Sequence, residues 1–127
     1  MGFLDRLRSS QSGAPLSSWK VLNSVEQLEE LAEHSYQKPV VIFKHSTSCG
    51  ISAGAKYRLE SDWSFEESDL EMYYLDLLRY RPVSNAVAER FGVTHQSPQI
   101  IVLKNGKAVF DTSHHQVNTQ AIEAQLG

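Results

Sequence analysis

"KHSTSCGIS", residues 44 to 52, follows the apolar run Val40-Val41-Ile42-Phe43 and holds the only cysteine of the chain. A continuous β-branched run of this length suits a strand buried on both faces of a sheet. Past Cys49, residues Ile51, Ala55 and Leu59 recur at i, i+4 and i+8, the spacing of one helical face. The stretch therefore marks a strand that turns into a helix, with the cysteine in the turn. A structural cysteine belongs inside the apolar run; this one sits just beyond it, among Ser, Thr and Gly.

Working outward, Trp19 to Leu22 suits a short strand, and Asn23 or Ser24 suits the cap of a helix running to about Tyr36. Leu70 to Leu78 suits a third strand. Arg81-Pro82 then starts a helix through Phe91, closed by Gly92. Gln99 to Leu103 follows Pro98 as a strand, Asn105-Gly106 signals a two-residue hairpin, and Lys107 to Asp111 returns antiparallel. Asn118 or Thr119 caps a last helix ending near Leu126. The order β-α-β-α-β-α-β-β-α implies an α/β fold, with a central mixed sheet of four to five strands and helices on both faces.

The 127 residues suit one domain, 16–127, preceded by a flexible segment, 1–15. Ser9 to Ser18 reads as a linker rich in Ser, Gly and Pro. Phe3, Leu4 and Leu7 offer either a weak anchor or a frayed terminus. The net charge is −3 and no basic stripe is present, so nucleic acid is not an expected partner. Asp5, Arg6 and Arg8 interrupt any signal-peptide core, and no apolar run approaches the length of a membrane span. One cysteine forms no internal disulfide and no Cys-rich zinc site, so no metal is expected, and a free thiol fits a reducing, cytoplasmic setting.

Cys49 falls at the C-terminal end of a central strand, where open α/β sheets bind ligands. It also falls at a helix N-terminus, whose unpaired N–H groups and positive partial charge favour thiolate over thiol. Lys44 and His45 add positive potential if they point the same way. Cys49-Gly50-Ile51-Ser52 has the spacing of a C-x-x-C redox motif with Ser at the second position. Ser52 cannot resolve a mixed disulfide, so the spacing predicts a monothiol mechanism that awaits a second thiol from outside. The bland alternative is a lone inert cysteine.

Four separated stretches, HSTSCGIS, RPVSNAVAERFGV, HQSPQIIVLKNGK and SHHQVN, resemble the monothiol bacilliredoxin family over roughly Trp19 to the C-terminus. Members of that family carry T-C-P-I-S, so Cys49, Ile51 and Ser52 match while Gly50 replaces a proline. The resemblance implies a thioredoxin-like three-layer fold with a cis peptide at Ser97–Pro98. It implies removal of bacillithiol from S-bacillithiolated client proteins through catalytic Cys49. Bacillithiol would be a co-substrate, and no cofactor would be tightly bound. Ser48, Gly50, Ile51, Ser52, Ser97 and Pro98 would line the substrate, with Ser52 able to hydrogen-bond the Cys49 sulfur.

Two rival functions stay open. Cys-Gly-Ile-Ser is also similar to the Cys-Gly-Phe-Ser of monothiol glutaredoxins, which implies an iron–sulfur carrier needing two chains and two external thiols. The place of the Gly-Gly-Ser-Asp-like segment of such carriers is taken here by Ser113-His114-His115. The other rival is a thioredoxin-fold binding module with an incidental cysteine. His114-His115 beside Asp111 invites a metal reading but suits a solvated loop. The acidic run Asp62 to Glu71 suits a solvated surface, and His34 and His95 carry no expected catalytic role.

Overall fold

The computed structural model describes residues 16–126. In chain order it contains β1 (Lys20–Val21), α1 (Gln27–His34), β2 (Val40–His45), α2 (Gly50–Ser61), β3 (Glu71–Asp76), α3 (Arg81–Phe91), β4 (Gln99–Lys104) and β5 (Lys107–Ser113). A 3-10 turn (His114–Gln116) and α4 (Thr119–Glu123) complete the fold. The strand order in the sheet is β1-β3-β2-β4-β5. β2 lies parallel to β3 and antiparallel to β4, and β5 closes the edge as the hairpin partner of β4. This is the mixed five-stranded sheet that the alternation of elements implies.

Side chains of β2 alternate between two cores. Val41 and Phe43 join Ala55 and Leu59 of α2, with Trp19, Tyr74, Val117 and Ile122. Val40 and Ile42 join Leu28 and Leu31 of α1, with Val83 and Val87 of α3. One strand buried on both faces thus supports helices on each side, which explains why its sequence shows no polar alternation. The same alternation sends Lys44 and His45 to opposite faces, so they do not act together on the cysteine.

Local details depart from the sequence reading in four places. Helix α1 starts later than the Asn23–Ser24 cap implies. The side chain of Gln27 reaches back instead, accepting from the backbone N–H of Asn23 at 2.8 Å and of Ser24 at 3.0 Å. It also ends at His34 rather than Tyr36, and α4 stops at Glu123. Asn118 does cap α4, its Oδ1 accepting from Ala121 N–H at 2.8 Å. Residues 16–18 are not linker. Trp19 N–H donates to the Leu16 carbonyl at 3.0 Å, and Leu16 packs on the first core. Readings that fall on 1–15, including Phe3, Leu4 and Leu7, lie outside the described residues.

The hairpin forms as expected, with Asn105 at φ 52° and Gly106 at φ 79°. Its tip is tied to the end of α1. Ser35 carbonyl accepts from Asn105 N–H at 2.9 Å, and Ser35 Oγ accepts from Gly106 N–H at 2.7 Å. Gly92 ends α3 at φ 66°, a left-handed position that favours glycine. No helix among the described residues is long and apolar enough to cross a membrane.

Candidate active site

Three loops meet at the C-terminal end of β2. The first, 46–49, carries the cysteine into α2. The second follows β3, and its Leu77 N–H donates to the His45 carbonyl at 3.0 Å. The third leads into β4, where Gln99 pairs with Lys44 in register. Ser97 and Pro98, just upstream of Gln99, therefore reach the same end of the sheet as Ser46. The Ser97–Pro98 peptide is cis. Pro98 is buried, and Ser97 Oγ is buried without a hydrogen-bond partner among the described residues.

Cys49 is the N-cap of α2, with extended backbone (φ −114°, ψ 124°). Its N–H donates to the Ser46 carbonyl at 3.2 Å, and its own carbonyl accepts from Ala53 N–H at 2.9 Å. The thiol is free and half-buried. No acidic side chain lies in the first turn of α2, so nothing there opposes the positive end of the helix. Ser48, Gly50 and Ile51 are exposed around it, Ile51 at 49%. A side chain at Gly50 would meet no atom within 4 Å. Gly50 is the first helical residue, where proline is also tolerated, so its departure from the family pattern leaves the turn intact.

The expected apolar stripe Ile51-Ala55-Leu59 holds only for its last two members. The first turn of α2 starts beyond the end of β2, so Ile51 projects to solvent beside Cys49. Ser52 takes the inward position and is fully buried. Its hydroxyl accepts from Ser46 N–H at 3.0 Å and lies 2.7 Å from His45 Nδ1. The hydrogen bonds expected toward the Cys49 sulfur thus go to the strand end instead. Ser52 faces the core, not a substrate, and staples the first helical turn to the cysteine loop.

His45 is buried, and its pKa is pushed down to about 4. Burial is the main cause, followed by the Lys56 ammonium; Asp76 and the Ser52 backbone partly oppose them. It is neutral at pH 7 and adds no positive charge beside the thiol. Because the folded value lies below the unfolded one of about 6.5, the unfolded chain binds an extra proton between the two. Stability from this residue is full above pH 6.5 and is lost as pH falls toward 4. Denaturant unfolding across pH 4 to 7 checks this: His45→Gln should flatten the slope by about one proton. A companion prediction concerns Ser52→Ala, which leaves the buried Ser46 N–H without its acceptor. It should cost about 1–3 kcal/mol in urea unfolding, while Ser48→Ala, at an exposed position, stays within about 0.5 kcal/mol.

The sequence gives His95 no catalytic role and reads Lys44 only as a source of positive potential, yet the two meet at this end of the sheet. Lys44 Nζ donates to the Ser84 carbonyl and to His95 Nδ1, both at 3.2 Å. The remaining histidines lie apart. His34 pairs with Glu71 at 3.0 Å, and His114 and His115 are exposed in the 3-10 turn. No group of three metal-ligating side chains occurs among the described residues.

A cysteine at a strand end and helix N-terminus, with a cis-proline entering β4 at the same end of a mixed sheet, is the layout of a thioredoxin-fold thiol redox protein. Solved structures agree. A candidate oxidoreductase with a thioredoxin fold is 29% identical, with a TM-score of 0.72 over 91% of this chain and 96% of that one. Thioredoxin from Malassezia sympodialis shares the fold at 19% identity and TM-score 0.66, covering 89% of this chain and 91% of its own. Fasciola hepatica thioredoxin does so at 22% and 0.63, covering 83% and 94%. The family model of the monothiol bacilliredoxin BrxC matches residues 20–122, and the chain belongs to that family.

Proposed function

We propose that this protein removes bacillithiol from mixed disulfides on client proteins, with Cys49 as the nucleophile. One observation carries the reading. The chain has a single cysteine, it is free at the N-terminus of α2, and the C-x-x-C partner position holds a buried serine already committed to the strand end. The Cys49 thiolate attacks the bacillithiol sulfur of the client disulfide. The client sulfur leaves as thiolate, and bacillithiol is carried as a mixed disulfide on Cys49. A second low-molecular-weight thiol attacks Cys49–S–S–R, regenerates the thiolate and departs as the small disulfide, so the two electrons come from the external thiols.

Ser48, Gly50 and Ile51 form the exposed rim of the thiol, and Ser97–Pro98 the facing wall. Ser97 Oγ, buried and without a hydrogen-bond partner among the described residues, supports a substrate contact there. The client is a folded protein, not nucleic acid, and the reducing cytoplasm is the proposed setting. Incubating the protein in an oxidised extract of a bacillithiol-producing bacterium tests the reading. Intact mass should rise by one bacillithiol on Cys49; an adduct of another thiol, or none, contradicts it.

A further inference from the structure

The loop between α3 and β4, residues 92–98, sets where Ser97 and Pro98 stand at the cysteine end of the sheet. Its two ends are pinned by the backbone. Val93 N–H donates to the Ala88 carbonyl at 3.1 Å, and the Pro98 carbonyl accepts from His114 N–H at 3.0 Å. Between these ends, residues 94–97 make no backbone-to-backbone hydrogen bond with any described residue. Two side chains from the sheet hold the stretch instead. Gln99 Oε1 accepts from Gln96 N–H at 3.4 Å, and Gln99 Nε2 donates to the Thr94 carbonyl at 3.0 Å. Lys44 Nζ donates to His95 Nδ1 and to the Ser84 carbonyl of α3, both at 3.2 Å.

Lys44 and Gln99 are register partners on β2 and β4, so their side chains share the α3 face. Both are fully buried. One step back along that face the same two strands carry Ile42 and Ile101, members of the second core. The change from apolar to polar comes where the strands reach the loop. A buried amide and a buried ammonium are costly unless satisfied, and the loop and α3 are what satisfy them here. Burial, and then Arg81, push Lys44 down to about 8, so it is still an ammonium at pH 7. An ammonium only donates, so His95 Nδ1 accepts and the ring proton sits on Nε2. Ser84 Oγ lies 3.4 Å from the same nitrogen.

We propose that Lys44, Gln99 and His95 are positioning residues for client binding, fixing the 94–97 stretch so that Ser97–Pro98 faces Cys49. The proposal rests on the role given above to Ser97–Pro98 as the wall opposite the thiol. None of the contacts that hold the loop involves Cys49. Loosening the loop therefore weakens the grip on a client chain lying between wall and thiol, and leaves the reactivity of the thiol itself unchanged. Thr94 and Gln96 are exposed, so water takes over their backbone groups when Gln99 is replaced. His95 is half-buried on the loop and belongs to neither core, so its replacement leaves both cores intact.

The test uses the intact chain and a short peptide whose single cysteine carries bacillithiol in a mixed disulfide. Steady-state exchange in excess bacillithiol gives KM and kcat, and alkylation of Cys49 by iodoacetamide reads the thiol alone. His95→Leu removes the acceptor of Lys44, and Gln99→Met removes both loop contacts of the amide. Each should raise KM by about fivefold or more, with kcat and the alkylation rate within about twofold of wild type. His95→Asn puts an acceptor back near Nδ1 and should return KM to about the wild-type value. An unchanged KM in His95→Leu and Gln99→Met, alkylation that falls in step with exchange, or no rescue by His95→Asn overturns the proposal while leaving Cys49 exchange intact. A wild-type chain that leaves the peptide untouched would instead sink the exchange reading, and amide hydrogen exchange then decides the loop. The Gln96 and Ser97 amides should exchange about tenfold faster in Gln99→Met than in wild type, with Ile42 and Ile101 unchanged. Equal rates at Gln96 and Ser97 in the two proteins overturn the positioning role.

Discussion

Cys49→Ser loses all thiol exchange, because a hydroxyl at that position offers no thiolate to attack a disulfide. Exposure to bacillithiol disulfide should add one bacillithiol to the wild-type chain and none to the variant, read by intact mass. Ser52→Cys should change the reaction rather than abolish it. Position 52 lies one turn along α2 from Cys49, so a second thiol there attacks the mixed disulfide from within. Bacillithiol leaves, and the protein ends two hydrogens lighter than its reduced form. The same substitution replaces the acceptor of Ser46 N–H and the neighbour of His45 with a weaker sulfur partner. Ser52→Cys is therefore expected to be less stable when reduced. A variant that keeps the bacillithiol adduct indefinitely would show that position 52 does not reach Cys49.

Lys56→Met should destabilise the protein strongly. Lys56 Nζ and Glu60 Oε2 lie 2.7 Å apart on α2, with side-chain exposures of only 4% and 7%. Removing the cation breaks this buried ion pair, which costs about 3–5 kcal/mol. Lys56→Met combined with Glu60→Leu removes both charges and should recover most of that loss, since a buried ion pair is worth little against apolar residues of similar volume. Urea unfolding of the single and double variants checks it. The double variant should also raise the His45 pKa, because Lys56 helps to hold it down. Histidine ring titration would show the shift.

Much of this architecture is legible in the chain because the decisive signals are local. The run Val40 to Phe43 is apolar throughout because both of its faces are buried. Asn105-Gly106 and Gly92 stand where the backbone takes positive φ. Cys49 is readable as a helix cap because a strand and a helical repeat flank it. What the chain conceals depends on rotation and on distant partners. The first turn of α2 lies beyond the end of β2, so Ile51 is exposed although Ala55 and Leu59 on the same face are buried, and spacing alone does not show where the sheet ends. The Lys44–His95 contact joins residues 51 apart, a pairing that no local pattern shows. Likewise, Gln27 caps its own helix from inside, so the preceding Asn23 and Ser24 mislead as caps.

Transfer of bacillithiol to Cys49 is the step on which the proposed function depends. A client protein bearing one bacillithiol mixed disulfide, mixed with the reduced chain and quenched over time, measures that transfer by intact mass on both partners. The client should lose one bacillithiol as the wild-type chain gains one, and Cys49→Ser should leave the client modified. Equal release of bacillithiol by wild type and Cys49→Ser, or release with no adduct passing through Cys49, would contradict it.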